Sequence, residues 1–101
     1  AKDSAGALGI AASVTEQGID LSVFIADILE YLRTLLLIQA GATELVTESQ
    51  SELSERAARA KSLDRERLLA MINHFMTASR DLRYFTLPVL PLEVAIVKSC
   101  M

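Results

Sequence analysis

The chain has 101 residues with a formal net charge of -3 at pH 7; 51% of the residues are hydrophobic and 5% are aromatic. This length suits one domain, and the acidic balance argues against a protein that mainly grips phosphates, since nucleic-acid-binding domains are usually basic. The single cysteine excludes an internal disulfide, and no apolar run reaches the roughly 18 residues that a membrane-spanning helix needs.

The first predicted helix covers residues 4–17. Leu8, Ala11, Ala12 and Thr15 recur at helical spacing and share one face, with Ile10 and Val14 beside it. Gly18 stands where helices often end on a residue in the left-handed conformation.

The second predicted helix, residues 21–40, has the clearest amphipathic pattern. Asp20 is placed to cap its start and Gly41 to end it. The inward stripe comprises Phe24, Ile28, Leu32, Leu35 and Ile38. Its last turn is apolar in all directions, so we expect burial on more than one side. This turn is our candidate subunit interface and comprises Leu35, Leu36, Leu37 and Ile38.

Two more helices are predicted over residues 49–61 and 64–83. Acid-before-base pairs at i,i+4 spacing indicate an exposed, peripheral third helix. Five basic residues occur where the two helices meet: Arg56, Arg59, Lys61, Arg65 and Arg67. Acidic neighbours interrupt them, so a solvated face is the main interpretation, and a weak contact to a nucleic-acid backbone is the minor alternative.

The last predicted helix covers residues 91–100, after a turn that Pro88 and Pro91 impose. Leu92 to Lys98 is apolar on nearly every side, and a helix of that kind belongs inside a bundle. We therefore expect a central rod with the earlier helices packed around it.

Glu93 is the one acid in this last helix. A buried carboxylate is costly unless it is paired, so one prediction is an ion pair with Arg80 or Arg83. The alternative, which stays open, is that Glu93 points to water near the helix start, where the helix dipole favours a negative charge.

Residues that could carry chemistry are scarce. His74 is the only histidine and has no Cys, Asp or Glu at ligand spacing such as i+4, and Cys100 has no histidine nearby in sequence. No phosphate-binding loop, dinucleotide fingerprint or nucleophile elbow is present. We expect no catalytic, metal or cofactor site in this chain.

Several segments together resemble the third domain of the bacterial DNA polymerase III gamma/tau subunit. The resemblance spans about residues 6–100 and rests on order and spacing. Its main segments are Arg80-Asp81-Leu82-Arg83, Leu90 to Lys98, Leu29 to Arg33, Leu35 to Ile38, Ser62-Leu63 and Arg67-Leu68-Leu69.

The resemblance implies a cytoplasmic collar domain of a replicative clamp loader, which holds the ATPase subunits in a ring while the sliding clamp is loaded. Its partners would be other clamp-loader subunits, both copies of itself and delta-type subunits. The AAA+ ATPase module would precede this chain. Because the chain starts at Ala1, not Met, and stops at Met101 directly after the last helix, we expect a fragment of a larger protein.

The sequence therefore predicts one all-α domain over residues 1–101, a compact bundle of about five helices. The main hypothesis for its function is oligomerisation within a clamp loader. The alternative is a generic helical adaptor that binds a partner helix in a groove. A collar should associate with itself or with related subunits, whereas an adaptor should stay monomeric until it meets its peptide.

Overall fold

The computed structural model describes residues 4–45, 50–82 and 89–100. Within these ranges the secondary structure is helical, which confirms the predicted all-α class with about five helices. The α-helices are α1 (Ser4–Glu16), α2 (Leu21–Gln39), α3 (Gln50–Ser62), α4 (Arg65–Asp81) and α5 (Val89–Ser99). A short 3-10 helix, Thr43–Leu45, follows α2 and was not predicted.

Local sequence signals determine the end of α1 and both ends of α2. Asp20 is its N-cap, and its carboxylate accepts hydrogen bonds from the Ser22 backbone N–H at 2.9 Å and the Ser22 hydroxyl at 2.8 Å. Gly18 and Gly41 have φ values of 71° and 80°, the left-handed region that favours glycine. The predicted cap and both predicted glycine positions are confirmed.

The start of α4 also follows its sequence signal. Asp64 is the N-cap, and its carboxylate accepts a hydrogen bond from the Arg67 N–H at 3.3 Å. The helix ends at Asp81 with Leu82 as its C-cap, so the predicted end at Arg83 lies outside the described residues. The predicted start of the third helix, at residue 49, also lies outside them.

Helix α5 begins at Val89, two residues before the predicted start at Pro91. A proline is tolerated in the first turn because the N–H groups there have no carbonyl partner within the helix. Pro91 therefore does not have to be the first helical residue, and it is itself buried.

The core lies where α5, α4, α2 and α1 meet. Helix α5 packs against α4 and α1 and touches α2, while α2 packs against α4 and α3. The largest fully buried side chains are Ile25, Leu35, Leu68 and Leu92. Each fully buried Leu or Ile contributes about 1.5–3 kcal/mol, so this aliphatic centre is the main source of stability.

The prediction that α5 is enclosed on every side is wrong for one face. Pro91, Leu92, Ala95 and Ile96 are buried, whereas an opposite stripe is exposed to solvent: Leu90 39%, Val94 43% and Val97 40%. The neighbouring helices cover only the first face, because the apolar composition of a helix does not determine how many other helices pack against it.

Candidate assembly surfaces

The predicted interface turn at the end of α2 divides between core and surface. Leu35 is only 2% exposed and belongs to the core, so it cannot contact another subunit. Leu36 and Ile38 are half-buried and pack against that core. Leu37 is also half-buried but, in the described part of the chain, is not among the side chains packed on the core. Of the four candidates, Leu37 is therefore the one that is neither buried nor packed against the core.

Arg80 does not form the predicted ion pair with Glu93. The Arg80 Nε lies 3.5 Å from Asp81 Oδ1, so Arg80 has its partner on its own helix. Among residues 4–45, 50–82 and 89–100, Glu93 forms no ion pair and is partly exposed. Arg83 lies outside the described residues, and its pairing with Glu93 stays a prediction.

The exposed side of α5 forms a continuous apolar stripe. Leu90, Val94 and Val97 follow each other at i, i+4 and i+7, and Glu93 lies on the same side at i+3. We name these four residues the α5 stripe. Periodicity could not reveal it, because an all-apolar helix gives no signal for the side that its neighbours leave uncovered.

An apolar groove of about 670 Å³ opens elsewhere on the bundle. Its lining includes Ala7 of α1, Arg59 and Ser62 of α3, and residues of α2, α4 and α5. The lining residues from α2, α4 and α5 include Ile28, Tyr31, Leu32, Met71, Phe75 and Ile96. We name this cavity the α1–α3 groove.

The charged residues that line the α1–α3 groove are Arg59 and Arg67. Arg59 is exposed and, among the described residues, has no ion pair, although Glu55 lies at i-4. The described lining of the groove is therefore mainly apolar and carries positive charge. That combination suits an apolar segment that carries a carboxylate.

Three arginines of the predicted basic cluster bind their own chain, which the sequence did not show. The Arg67 Nη2 donates to the Ser99 carbonyl at 3.0 Å, and the Arg65 Nη2 donates to the Gln39 carbonyl at 3.1 Å. Both cations thus lie at helix C-termini, where the helix dipole favours positive charge. The guanidinium carbon of Arg56 lies 4.9 Å from the ring centroid of Tyr31, a cation–π contact.

Gln39 joins the ends of three helices. Its side-chain Nε2 donates to the Ala60 carbonyl at 2.9 Å and to the Leu63 carbonyl at 2.7 Å. Together with the bond from Arg65 to the Gln39 carbonyl, these contacts fix the end of α2 to the α3–α4 connection. Leu63, whose carbonyl takes part in this junction, also lines the α1–α3 groove.

The candidate chemical residues do not form a catalytic group. His74 lines a cavity of about 330 Å³ between α4 and α5, with Asp81 and Lys98 also in its lining. In the ranges that the structure describes, His74 has no hydrogen-bond partner to orient it as a base. Cys100 is a free, partly buried thiol that packs against the core.

The described ranges contain neither a candidate metal site nor a candidate membrane-spanning helix. His, Cys, Asp and Glu side chains nowhere gather in a group of three or more that could hold a metal ion. None of the helices there combines the length and the apolar character needed to cross a membrane. The features that remain are the two apolar surfaces and Leu37.

Comparison with known proteins gave one family. The family model described as DNA polymerase III subunits gamma and tau domain III matches residues 1–101, the whole chain. Neither a search of curated proteins nor a search of solved structures returned a match.

Proposed function

The chain belongs to the family of domain III of DNA polymerase III subunits gamma and tau, and we propose that it serves as the collar of a clamp loader. In this role it holds the ATPase subunits in a ring while the sliding clamp is loaded for DNA replication. The domain itself carries out no catalysis and acts in the cytoplasm. Its partners are further copies of itself and the delta-type subunits of the same assembly.

One observation carries this proposal: the family model covers all 101 residues. A domain of a clamp-loader subunit works inside an assembly, so it needs surfaces that other subunits can cover. The exposed α5 stripe, the α1–α3 groove and Leu37 meet that need. Apolar surface that remains exposed in an isolated domain often marks a protein–protein contact.

The arrangement of the basic residues is compatible with a role in subunit packing and leaves few free cations to bind a nucleic-acid backbone. Three of the five clustered basic residues are engaged with Tyr31 or with helix C-termini, as described above. Arg59 and Lys61 remain as exposed cations on α3. We therefore propose that DNA contact is not the primary task of this domain.

A co-elution experiment tests the proposal. The chain is mixed with the other subunits of a bacterial clamp loader, and the molar mass of each eluted species is measured by light scattering. We expect the chain to enter a complex with these subunits without any added peptide. A helical adaptor would instead remain at its monomer mass of 11.0 kDa in that mixture.

Two serine substitutions on α2 locate the contact. Leu37→Ser removes apolar surface at the candidate interface position that is free of the core, and we expect weaker co-elution. Val23→Ser is the matched control, because Val23 is 53% exposed on the same helix and lies about 21 Å away along its axis. Equal effects of the two substitutions would contradict a contact at Leu37.

A further inference from the structure

We propose that the α1–α3 groove binds a fatty acid, with the alkyl chain on the apolar lining and the carboxylate at Arg59. This inference goes beyond the proposed function, because it gives the domain a site for a small molecule. The α5 stripe and Leu37 remain for contacts with other subunits. Three observations carry the inference: the size and apolar lining of the groove, the positive charge of that lining, and the scarcity of other polar groups in it.

The α1–α3 groove has the size and the lining of a site for an apolar small molecule. Its volume of about 670 Å³ falls within the range of about 300–1,000 Å³ that is typical of ligand pockets, which are lined mainly by hydrophobic side chains and often lie between the helices of bundles. Its aliphatic lining includes Ile28, Leu32, Met71 and Ile96. These side chains provide a surface on which an alkyl chain can be buried away from water.

The charged side chains in the described lining are both positive. Arg59 is exposed and forms no ion pair among residues 4–45, 50–82 and 89–100. Arg67 is partly buried, and its Nη2 donates to the Ser99 carbonyl at 3.0 Å, which holds this second guanidinium in place. The described lining contains no acidic side chain. An anion in the groove is therefore not repelled, and the Arg59 guanidinium can form a bidentate pair with a carboxylate.

The other polar groups of the described lining are few, and this limits the ligand to one polar end. Besides the two arginines, the side chains of Tyr31, Ser62 and Ser99 offer hydroxyl groups, and the Ser62 hydroxyl already donates to the Arg59 carbonyl at 2.9 Å. A nucleotide or a sugar would bury several polar groups without partners, which costs free energy. A fatty acid has one anionic end and a hydrocarbon body, so it matches both parts of the lining.

Isothermal titration calorimetry with straight-chain carboxylates tests the apolar part of this inference. Octanoate, decanoate and dodecanoate are titrated into the full 101-residue chain at concentrations below those at which they form micelles. Each methylene that is buried in the groove should lower the Kd about fourfold, so dodecanoate should bind most tightly of the three. Dodecyltrimethylammonium is the matched ligand control, because it keeps the alkyl chain and reverses the charge. We expect its Kd to be higher than that of dodecanoate by about tenfold or more.

A charge reversal at Arg59 tests the contact with the carboxylate. Arg59→Glu places a negative charge beside the carboxylate of the ligand, so the Kd of dodecanoate should rise by about tenfold or more. Arg59→Gln removes the charge without reversing it and should give a smaller rise. Arg33→Glu is the matched control, since Arg33 is exposed on α2 and is not a lining residue, and it should leave the Kd unchanged. Circular dichroism checks that each variant keeps the helical content of the parent.

Cys100 provides a second readout that locates the ligand on the domain. It is the only cysteine of the chain, and it lines the groove as a free, partly buried thiol. Dodecanoate should slow the alkylation of Cys100 by iodoacetamide, followed by mass spectrometry, in proportion to the occupied fraction of the chain. The control is Ala26→Cys in a Cys100→Ala background, because Ala26 is exposed on α2 and lies outside the lining. Alkylation at position 26 should proceed at the same rate with and without dodecanoate.

Several results would overturn this inference. They are the absence of binding, a Kd that does not change with chain length, equal binding of dodecanoate and dodecyltrimethylammonium, equal effects of Arg59→Glu and Arg33→Glu, and alkylation of Cys100 that dodecanoate does not slow. Co-elution with clamp-loader subunits is measured without any fatty acid, so the proposed function stands or falls separately from this inference.

Discussion

Replacing Leu92 and Leu90 separately by alanine compares the two faces of α5 with the same chemical change. Leu92 is 0% exposed and Leu90 is 39% exposed, and they lie two residues apart on one helix. A buried Leu→Ala substitution costs about 2–5 kcal/mol, because the lost transfer free energy is increased by the cavity left behind. Leu90→Ala leaves no closed cavity and removes only partly buried surface, so we expect a cost of about 1 kcal/mol.

The assay is thermal unfolding followed by far-UV circular dichroism at neutral pH and low protein concentration. In a domain of this size each kcal/mol lowers the Tm by roughly 4–8 °C. Leu92→Ala should therefore lower the Tm by about 10 °C or more, and Leu90→Ala by clearly less. Equal shifts for the two variants would refute the assignment of one face of α5 to the core and the other to solvent.

Three further changes test particular contacts. Gln39→Ala removes both side-chain hydrogen bonds that join α2 to the α3–α4 connection and should lower the free energy of unfolding by about 1–3 kcal/mol; Gln17→Ala, an exposed control, should change it little. Gly41→Ala forces alanine to a φ of 80° and should lower the free energy of unfolding by about 1–2 kcal/mol. Gly9→Ala lies in the middle of α1, with open space for a Cβ, and should raise the free energy of unfolding by about 0.5–1 kcal/mol. Tm shifts of the same sign for these two variants would contradict this. Hydrogen bonds from Ser22 lower the pKa of Asp20 below its ordinary value of 3.8. The stabilisation from this cap is therefore present above pH 3.8 and lost as the pH falls through the lowered pKa, so Asp20→Ala should melt below the parent at neutral pH, and the gap should close in acid.

The ends of the helices could be predicted from the sequence where the residues that determine them are close together in the chain. Asp20 and Asp64 cap because their carboxylates reach N–H groups two or three residues ahead, and Gly18 and Gly41 accept a positive φ that other residues resist. Such interactions involve neighbours in the chain, so the order of residues alone predicts them. The order and spacing of short, degenerate segments were likewise enough to predict the family from the sequence.

The candidate assembly surfaces could not be predicted from the sequence in the same way. Gln39 binds carbonyls 21 and 24 residues away, and Arg67 binds one 32 residues away, so their partners depend on how the helices meet. Leu35 and Leu37 look alike in sequence, yet only Leu35 enters the core. The uncovered side of α5 likewise follows from the number and placement of neighbouring helices, which no periodicity encodes.

The central claim is that this domain exists to join subunits, and the molar mass of the assembly it enters tests that claim most directly. Sedimentation equilibrium of the chain together with the other clamp-loader subunits should give a complex heavier than those subunits alone, with the 11.0 kDa chain included in it. A chain that sediments at 11.0 kDa at every concentration, both alone and in that mixture, would contradict the claim.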